Sequence, residues 1–274
     1  MMTLMVWGTS SNSGKTIMCS ILCRHLHRKG VDVVPFKGSN LSLNSYVTDA
    51  GDEIGMGQAL QAWASGIEPT ADMNPILLKP EGSGKMQYVL NGSVHKGDRP
   101  SRKELLALSC AAYDRLYDGH DVVICEGSGA PSEINLMEGD IANIGIVRER
   151  RMNAIIVGDI ERGGMFAAIY GTWLLIPEDI RPLVKGFIVN RFRGDETILD
   201  SGIRRIEDLT GMRCIGIMPY AKDIILPEED SVSLHRARTG KFEDIRGMYD
   251  SSLDRLTDLA EEHLDFDILE SFIR

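Results

Sequence analysis

The sequence lacks the features of a membrane, secreted or nucleic-acid-binding protein. Its 274 residues include 30 basic and 40 acidic ones, and the resulting net charge of −10 argues against a surface of clustered Lys and Arg for nucleic-acid phosphates. No apolar run approaches the ~20 residues that a membrane-spanning helix needs. The first residues, MMTLMVWG, show neither a basic leader nor a cleavage motif, so we expect no signal peptide.

Paired metal or disulfide patterns are also missing. The cysteines are odd in number and scattered: Cys19, Cys23, Cys110, Cys125 and Cys214. No second Cys or His pair with zinc-finger spacing accompanies Cys19 and Cys23, and the six histidines form no pair four residues apart. We therefore expect reduced, buried thiols and a cytoplasmic location.

Short apolar runs alternate with helical segments along most of the chain. Hydrophobic residues make up 43% of it, enough for a core and too much for disorder. The runs lie at 4–7, 31–36, 88–90, 122–125, 154–157, 186–189 and 214–218, and the helical segments at about 14–29, 54–65, 102–117, 140–151, 164–176 and 197–209. This alternation predicts an α/β fold with a doubly wound, mostly parallel sheet.

The last 34 residues differ from the rest. Residues 241–274 hold ten acidic and four basic residues, and Leu253, Leu256, Ala260 and Leu264 recur at helical spacing. The pattern predicts an amphipathic helix packed on the same domain, with its acidic face in solvent. A docking surface for a partner is the alternative interpretation.

Residues 8–16, GTSSNSGKT, come directly after an apolar strand and begin a helix. Small residues there let backbone N–H groups and a helix N-terminus face a phosphate. Lys15 would then neutralise β- and γ-phosphates, and Thr16 would offer a hydroxyl to Mg²⁺. Five residues, rather than the usual four, separate Gly8 from Gly14. The alternative is a Ser/Gly turn that caps the helix.

Polar residues end several of the other predicted strands. Glu126 ends a strand at the edge where nucleotide-binding sheets hold Mg²⁺, and it is our candidate for the second metal ligand. Lys37 ends another strand and would hold a phosphate or a substrate carboxylate, unless it is a surface lysine. Asp159, Arg162 and Asn190 are expected at the same rim.

Eight longer segments carry a more specific signal: PFKGSNLSLNSYVT (35–48), DEIGMGQALQAWASGIEPTADMNPILLKP (52–80), EGSGAPSEINL (126–136), DIANIG (140–145), GDIERGGMFAAIYGT (158–172), VNRFRGD (189–195), GIMPY (216–220) and LPEEDSV (226–232). They resemble the cobyric acid synthase family, which is similar to dethiobiotin synthetase in its nucleotide-binding half. The resemblance runs from about residue 3 to 232. The five-residue gap in GTSSNSGKT is typical of this branch of P-loop NTPases, in which Ser10 stands where partition ATPases have a signature lysine.

The resemblance implies an ATP-dependent, amide-forming ligase over residues 1–240. In the family, ATP activates carboxylates on the rim of a corrin ring, and ammonia then displaces phosphate from the acyl phosphate. The implied substrate is a corrinoid or related tetrapyrrole carboxylate, the cofactors are ATP and Mg²⁺, and we further expect a homodimer. No side-chain nucleophile is required, in keeping with a sequence without a Ser–His–Asp or Cys–His arrangement.

The resemblance also implies roles for single residues. The residues implied to bind phosphate are Asn12, Ser13, Gly14, Lys15 and Thr16. Those implied to bind magnesium are Thr16, Glu53 and Glu126. Lys37, Asn40 and Ser42 are implied to lie on the side of the substrate and the γ-phosphate. Asn190 and Pro219 are implied to flank adenine. Lys15 and Lys37 are the implied catalytic groups.

Two departures from the family pattern affect nitrogen supply and substrate choice. The sequence stops where the family continues into a glutaminase, and no cysteine lies in a glycine-flanked turn, so we expect ammonia from a separate glutaminase or from solution. Residues 81–100 diverge from the family after LLKP and are expected to shape specificity. Two alternatives stay open: a dethiobiotin synthetase-like ligase for another small carboxylate or amine, and a nucleotide-binding switch without a substrate.

Overall fold

The computed structural model describes residues 2–82, 85–222, 224–227 and 245–273. Within these ranges the strands are β1 (Met2–Gly8), β2 (Val33–Phe36), β3 (Asn40–Leu41), β4 (Ser45–Val47), β5 (Glu53–Gly55), β6 (Ile76–Gly82), β7 (Lys85–Leu90), β8 (Ser93–Val94), β9 (Val122–Glu126), β10 (Asn153–Asp159), β11 (Val184–Phe192) and β12 (Arg213–Pro219). The helices are α1 (Lys15–Arg28), α2 (Met56–Ala64), α3 (Arg102–Gly119), α4 (Ile144–Arg150), α5 (Met165–Leu175), α6 (Asp200–Thr210), α7 (Ile245–His263) and α8 (Phe266–Ser271).

A six-stranded parallel sheet forms the centre, in the order β12-β11-β10-β1-β9-β2. The middle residues of its strands are mostly apolar because both faces are covered. Leu4 and Val6 pack into the core on one face, whereas Met5 and Trp7 pack into the core on the other. The predicted doubly wound sheet is therefore confirmed, and β1 lies where the strand order reverses, the point at which such sheets bind ligands.

Helices cover the two faces in two groups. Helices α1, α2, α7 and α8 share one core with the sheet, and α3, α4, α5 and α6 share the other. The helix predicted from residue 140 begins only at Ile144. The reason is Asp140, whose carboxylate accepts the backbone N–H groups of Ala142, Asn143 and Ile144 and holds those residues in a turn.

Two small sheets extend from the carboxyl edge of the main sheet. One has the order β3-β6-β7-β8, and the other is the antiparallel pair β4-β5. The apolar run at 88–90 is a strand, as predicted, but it belongs to the first of these small sheets rather than to the central one. Much of the divergent segment 81–100 lies in the same sheet; its residues 83–84 are outside the described part.

The carboxyl-terminal segment forms two helices rather than the single one predicted. The chain leaves α7 at Leu264, which bridges to Gly216, and the backbone N–H of Asp265 donates to the carbonyl of Ile215 at 2.8 Å. These contacts place the segment along the free edge of β12. Residues 228–244 and 274, which include part of LPEEDSV and the start of the predicted helix, lie outside the described residues.

The acidic side chains of α7 remain partly in solvent, as predicted, and they also form ion pairs with basic residues of α1. These pairs are Arg24 with Asp250, and Arg28 with Asp254 and Asp258. On the next helix, Glu270 pairs with Lys29, the residue that follows α1. The segment is thus docked on its own domain by charge as well as by apolar contacts.

In the described part of the chain, every helix is too short or too polar to cross a membrane.

Candidate active site

The loop between β1 and α1 makes a tight turn at the switch point of the sheet. Asn12 and Gly14 have φ angles of 58° and 105°, both left-handed. At Gly14 no other residue would fit, because a Cβ would lie 2.1 Å from the Asn190 side-chain nitrogen. Left-handed residues that alternate with residues of negative φ turn successive N–H groups to one side, which is an arrangement that binds anions.

Lys15 begins helix α1 inside this turn. Its side chain is buried, and its Nζ donates to the carbonyl of Ser10 at 2.9 Å. The first turn of α1 has no acidic residue, so the positive end of the helix dipole is not neutralised locally. The loop therefore combines a folded-back ammonium with a helix N-terminus, and both favour an anion.

The carboxylate of Glu126 is the centre of a buried polar network. Its Oε1 accepts from Thr16 Oγ1 at 2.9 Å and from Lys37 Nζ at 2.8 Å. Its Oε2 accepts from Gln58 Nε2 at 3.3 Å and from Gln61 Nε2 at 2.5 Å. We call these five residues the acid network. The structure thus brings together three residues that were predicted separately, Thr16, Lys37 and Glu126.

Glu126 is ionised in this setting. Its side chain is 0% exposed, and burial alone would raise its pKa. The Lys37 ammonium, which is itself 3% exposed, opposes that effect together with Lys15 and Gln61, and they hold the pKa of Glu126 below its ordinary value. The predicted strand-end Lys37 is therefore not a surface lysine.

The oxygen atoms of Thr16 and Glu126 fit a magnesium ion. A hydroxyl and a carboxylate 2.9 Å apart are hard ligands, and Mg²⁺ is commonly held by one or two such groups together with water and substrate phosphates. No group of three or more His, Cys, Asp and Glu side chains suited to a metal occurs among the described residues. The donor set thus suits a metal shared with a nucleotide rather than one enclosed by protein.

Glu53, the other predicted metal ligand, has different partners. It lies at the start of β5, where it accepts hydrogen bonds from Lys79 Nζ and from Ser45 Oγ. Burial opposes its ionisation, but those two partners hold the pKa of Glu53 below its ordinary value. The structure therefore pairs Glu53 with Lys79 rather than with Thr16 or Glu126.

The predicted substrate-side residues join the acid network unequally. Asn40, at the start of β3, donates to Gln58 Oε1 at 3.1 Å, and Gln58 contacts Glu126 in turn. Ser42 is buried, but its hydroxyl donates to the carbonyl of Asn44 at 3.1 Å within its own turn. Asn40 is thus connected to the central carboxylate, whereas Ser42 shapes the chain beside it.

A cavity of about 570 Å³ extends from the loop along the edge of β11 and β12. Of the predicted ATP-binding residues, Asn12, Gly14, Lys15, Thr16, Asn190 and Pro219 line it, as does Arg162, whereas Ser13 is fully buried and does not. Asp159, predicted at the same rim, instead pairs with Arg191 at 2.7 Å. A single space thus connects the turn between β1 and α1 with the two residues expected to flank a base.

The Asn190 side chain holds the loop between β1 and α1 by a hydrogen bond. Its Nδ2 donates to the carbonyl of Ser13 at 2.8 Å, and its Oδ1 accepts from the backbone N–H of Arg191 at 2.9 Å. Both ends of the amide are therefore engaged with the chain itself. Besides lining the cavity, Asn190 holds the turn in place.

Gln58 and Gln61 of the acid network were not among the predicted site residues. Both are fully buried on α2, whose sequence MGQALQAWA is otherwise apolar or small. Two amides three residues apart lie on one side of a helix, and this spacing was the available signal. Their acceptor, Glu126, is more than 60 residues further along the chain, and only the fold brings it to them.

The five cysteines remain thiols. Cys19, Cys23, Cys110 and Cys125 are buried, Cys214 is half-buried, and none forms a disulfide. Burial raises the pKa of each, to about 12 for Cys23 and Cys125 and to about 11 for Cys214. Since the thiolate is the reactive form, these cysteines are poor nucleophiles.

Residues 4–234 match the family described as the CobQ/CobB/MinD/ParA nucleotide binding domain. Curated relatives include a probable cobyric acid synthase of Methanoculleus marisnigri, 51% identical over 88% of this chain and 50% of that protein. Another, named cobyric acid synthase, is from Cutibacterium acnes and is 46% identical over 86% of this chain and 50% of that protein. These relatives confirm the predicted resemblance, and the chain spans about half of their length.

Among solved structures, the MinC:MinD cell division complex of Aquifex aeolicus is 13% identical, with a TM-score of 0.48 over 95% of this chain and 94% of that one. The signal recognition particle 54 kDa protein of Aeropyrum pernix, bound to GDP, is 15% identical, with a TM-score of 0.46 over 94% of this chain and 50% of that one.

Proposed function

The chain belongs to the CobQ/CobB/MinD/ParA nucleotide-binding family, and we propose that it is the ATP-dependent, amide-forming part of a cobyric acid synthase. The observation that carries this proposal is the shared Oε1 atom of Glu126, which joins Thr16 of the phosphate loop to Lys37 of the neighbouring strand. This contact makes the nucleotide site continuous with the residues that lead to Asn40. The relatives named cobyric acid synthase supply the substrate class, a corrinoid carboxylate.

The proposed reaction depends on stabilising the charge of the reacting groups and does not need a reactive side chain. A carboxylate is a poor electrophile, since ammonia would have to expel oxide from it. We propose that an oxygen of the substrate carboxylate attacks the γ-phosphorus of ATP, giving an acyl phosphate and ADP. Ammonia then forms the C–N bond, and phosphate leaves with the C–O bond electrons.

Lys15 and Lys37 would provide the fixed positive charges for the first step. Lys15 starts the helix that faces the phosphates, and Lys37 is held 2.8 Å from Glu126 at the side from which the substrate would come. Phosphoryl transfer depends mainly on alignment and on neutralising the charge that spreads over the phosphate oxygens. Thr16 and Glu126 would hold Mg²⁺, which when bound shields the phosphate charges.

The state of the thiols supports a proposal about the nitrogen source. A glutaminase of the cysteine type needs an activated thiolate beside a base, and the five cysteines are protonated at neutral pH. We therefore propose that ammonia comes from a separate glutaminase or from solution. The homodimer stays a prediction.

The proposal is tested by measuring ADP release and amide product with ATP, Mg²⁺ and ammonium, over a panel of corrinoid acids. ADP release that depends on a corrinoid acid and matches amide formation is the expected result. Release stimulated instead by a small carboxylate or diamine would favour the dethiobiotin synthetase-like alternative. Nucleotide binding with no substrate-stimulated ADP release would favour a switch.

The same assay tests the nitrogen source. With ¹⁵N-amide glutamine as the sole nitrogen donor, the chain should form no labelled amide above the rate that contaminating ammonia explains. Labelled product at the rate seen with ammonium would contradict the proposal and require a nucleophile among the cysteines.

A further inference from the structure

Helix α7 contributes a wall to the nucleotide cavity. Leu256 lines the same space as Lys15 and Thr16, although it lies outside residues 4–234, the part that matches the nucleotide-binding family. Its side chain is nearly buried, at 3% exposed. A residue far along the sequence therefore reaches the space into which the phosphate loop opens.

The cavity is polar at one end and apolar at the other. The phosphate loop and the start of α1 form the polar end. Ile17 and Ile21 follow along α1, one turn apart on one side of that helix, and with Leu226 and Leu256 they make apolar walls. An aromatic base on a ribose matches such walls, whereas a triphosphate matches the loop.

The ion pairs between α1 and α7 fix the wall to the loop. Arg24 and Arg28 lie on the same helix that begins with Lys15, and they pair with Asp250, Asp254 and Asp258 of α7. Leu256 lies between these carboxylates in sequence. The helix that begins at the loop is thus joined to α7, which carries Leu256.

We propose that α7 is a structural part of the nucleotide site and that Leu256 contacts the adenosine portion of ATP. The inference rests on the proposed function, because it takes the nucleotide to be ATP. It assigns a binding role to a segment that the family match does not include.

The test separates contact with adenosine from contact with phosphate. Dissociation constants for ATP and for inorganic tripolyphosphate, both with Mg²⁺, are measured by calorimetry for the wild type, Leu256→Ala and Leu253→Ala. Leu253 is the matched control, since it is a fully buried leucine of α7 that does not line the cavity. We expect Leu256→Ala to weaken ATP binding about fivefold to tenfold through lost apolar contact, with tripolyphosphate binding changed less than about twofold. Leu253→Ala should leave both constants within about twofold.

The outcomes are distinguishable. If the wild type binds ATP and Leu256→Ala binds it equally well, or if both alanine variants lose ATP and tripolyphosphate affinity in parallel, the role of Leu256 is refuted while the ATP proposal stands. A wild type that fails to bind ATP overturns both. Should Leu256→Ala not fold, hydrogen exchange on the wild type decides: added ATP should slow exchange around residue 256 more than added tripolyphosphate, and equal protection would refute the contact.

Discussion

The two sides of Glu126 are organised in opposite ways. On the nucleotide side, the left-handed turn between β1 and α1 and several apolar side chains line a cavity of about 570 Å³. On the substrate side, both oxygens of the central carboxylate of the acid network accept two hydrogen bonds each. The nucleotide side thus offers space for a ligand, whereas the substrate side holds charged groups in fixed positions. Changes on the first should therefore affect binding, whereas changes in the second should affect folding as well.

The largest effect is expected from removing the charge of Lys37. Lys37→Met would leave the fully buried Glu126 without its ammonium partner, and breaking such a pair costs about 3–5 kcal/mol of unfolding free energy. Lys79→Met is the matched control, because its pair with Glu53 is more exposed and should cost less than about 1 kcal/mol. Urea unfolding measures both, and equal losses would mean that the deeper burial of the Lys37–Glu126 pair does not raise its contribution to stability.

The pH dependence of the Lys37→Met variant sharpens that prediction. In the wild type the pKa of Glu126 is lowered, so its contribution to stability is present above the ordinary glutamate pKa and is lost on acidification. Without Lys37, burial should raise that pKa instead. The stability of the variant relative to the wild type should then improve as the pH falls from neutral toward the ordinary pKa, and a constant difference would contradict this account.

Lys15 should be needed for turnover without being needed for folding. Lys15→Ala removes a positive charge from the phosphate site, and losing one such group typically lowers kcat about 10²- to 10³-fold. Lys185, a half-buried lysine of β11 that donates to the Pro182 carbonyl and does not line the cavity, gives the control variant Lys185→Ala. ADP release under saturating substrate is the measurement, with circular dichroism as the check on folding. Wild-type release by Lys15→Ala would rule out the assigned role.

Substitutions at Glu126 and Glu53 should have different effects on the Mg²⁺ dependence of activity. Glu126→Gln should raise the Mg²⁺ concentration for half-maximal activity about tenfold or more, because an amide lacks the charge that a hard divalent ion prefers. Glu53→Gln should change it by no more than about twofold, since Glu53 is paired with Lys79. A titration of ADP release with Mg²⁺ distinguishes them. Equal shifts would make Glu53 a metal ligand, as the family resemblance implies.

The smallest effect is expected at Asn190. Asn190→Ala removes the hydrogen bond to the Ser13 carbonyl, which should weaken ATP binding about fivefold, in line with one buried hydrogen bond. Asn153→Ala is the control, because Asn153 also donates to a backbone carbonyl at 2.8 Å, that of Phe272, at the other end of the sheet. Calorimetry should show no change in ATP affinity for the control.

Local sequence was enough to predict the central sheet and the phosphate loop. Strands buried on both faces leave continuous apolar runs, and a tight turn before a helix needs small residues at fixed places such as Gly8 and Gly14. Strand-end positions also placed Lys37 and Glu126 at one edge. Neighbouring residues determine those features, so they can be predicted without knowing which distant residues are in contact.

The remaining features depend on contacts between distant residues. A buried glutamine such as Gln61 looks like an ordinary helix residue until Glu126 is known to face it. The run at 88–90 has the composition of a central strand, and its place in a small sheet depends on pairing with β6. The ion pairs of α7 could not be predicted either, since their basic partners are more than 200 residues away on α1.

Both outer strands of the central sheet are protected against joining another chain. At one edge β2 is short and contains Pro35, which has no N–H to donate, and proline on an outer strand hinders the addition of a further strand. At the other edge, the link between α7 and α8 already occupies β12 through Leu264 and Asp265. Loosening the carboxyl-terminal helices would therefore uncover β12, and the first visible consequence would be self-association through exposed backbone, a hazard that grows with protein concentration.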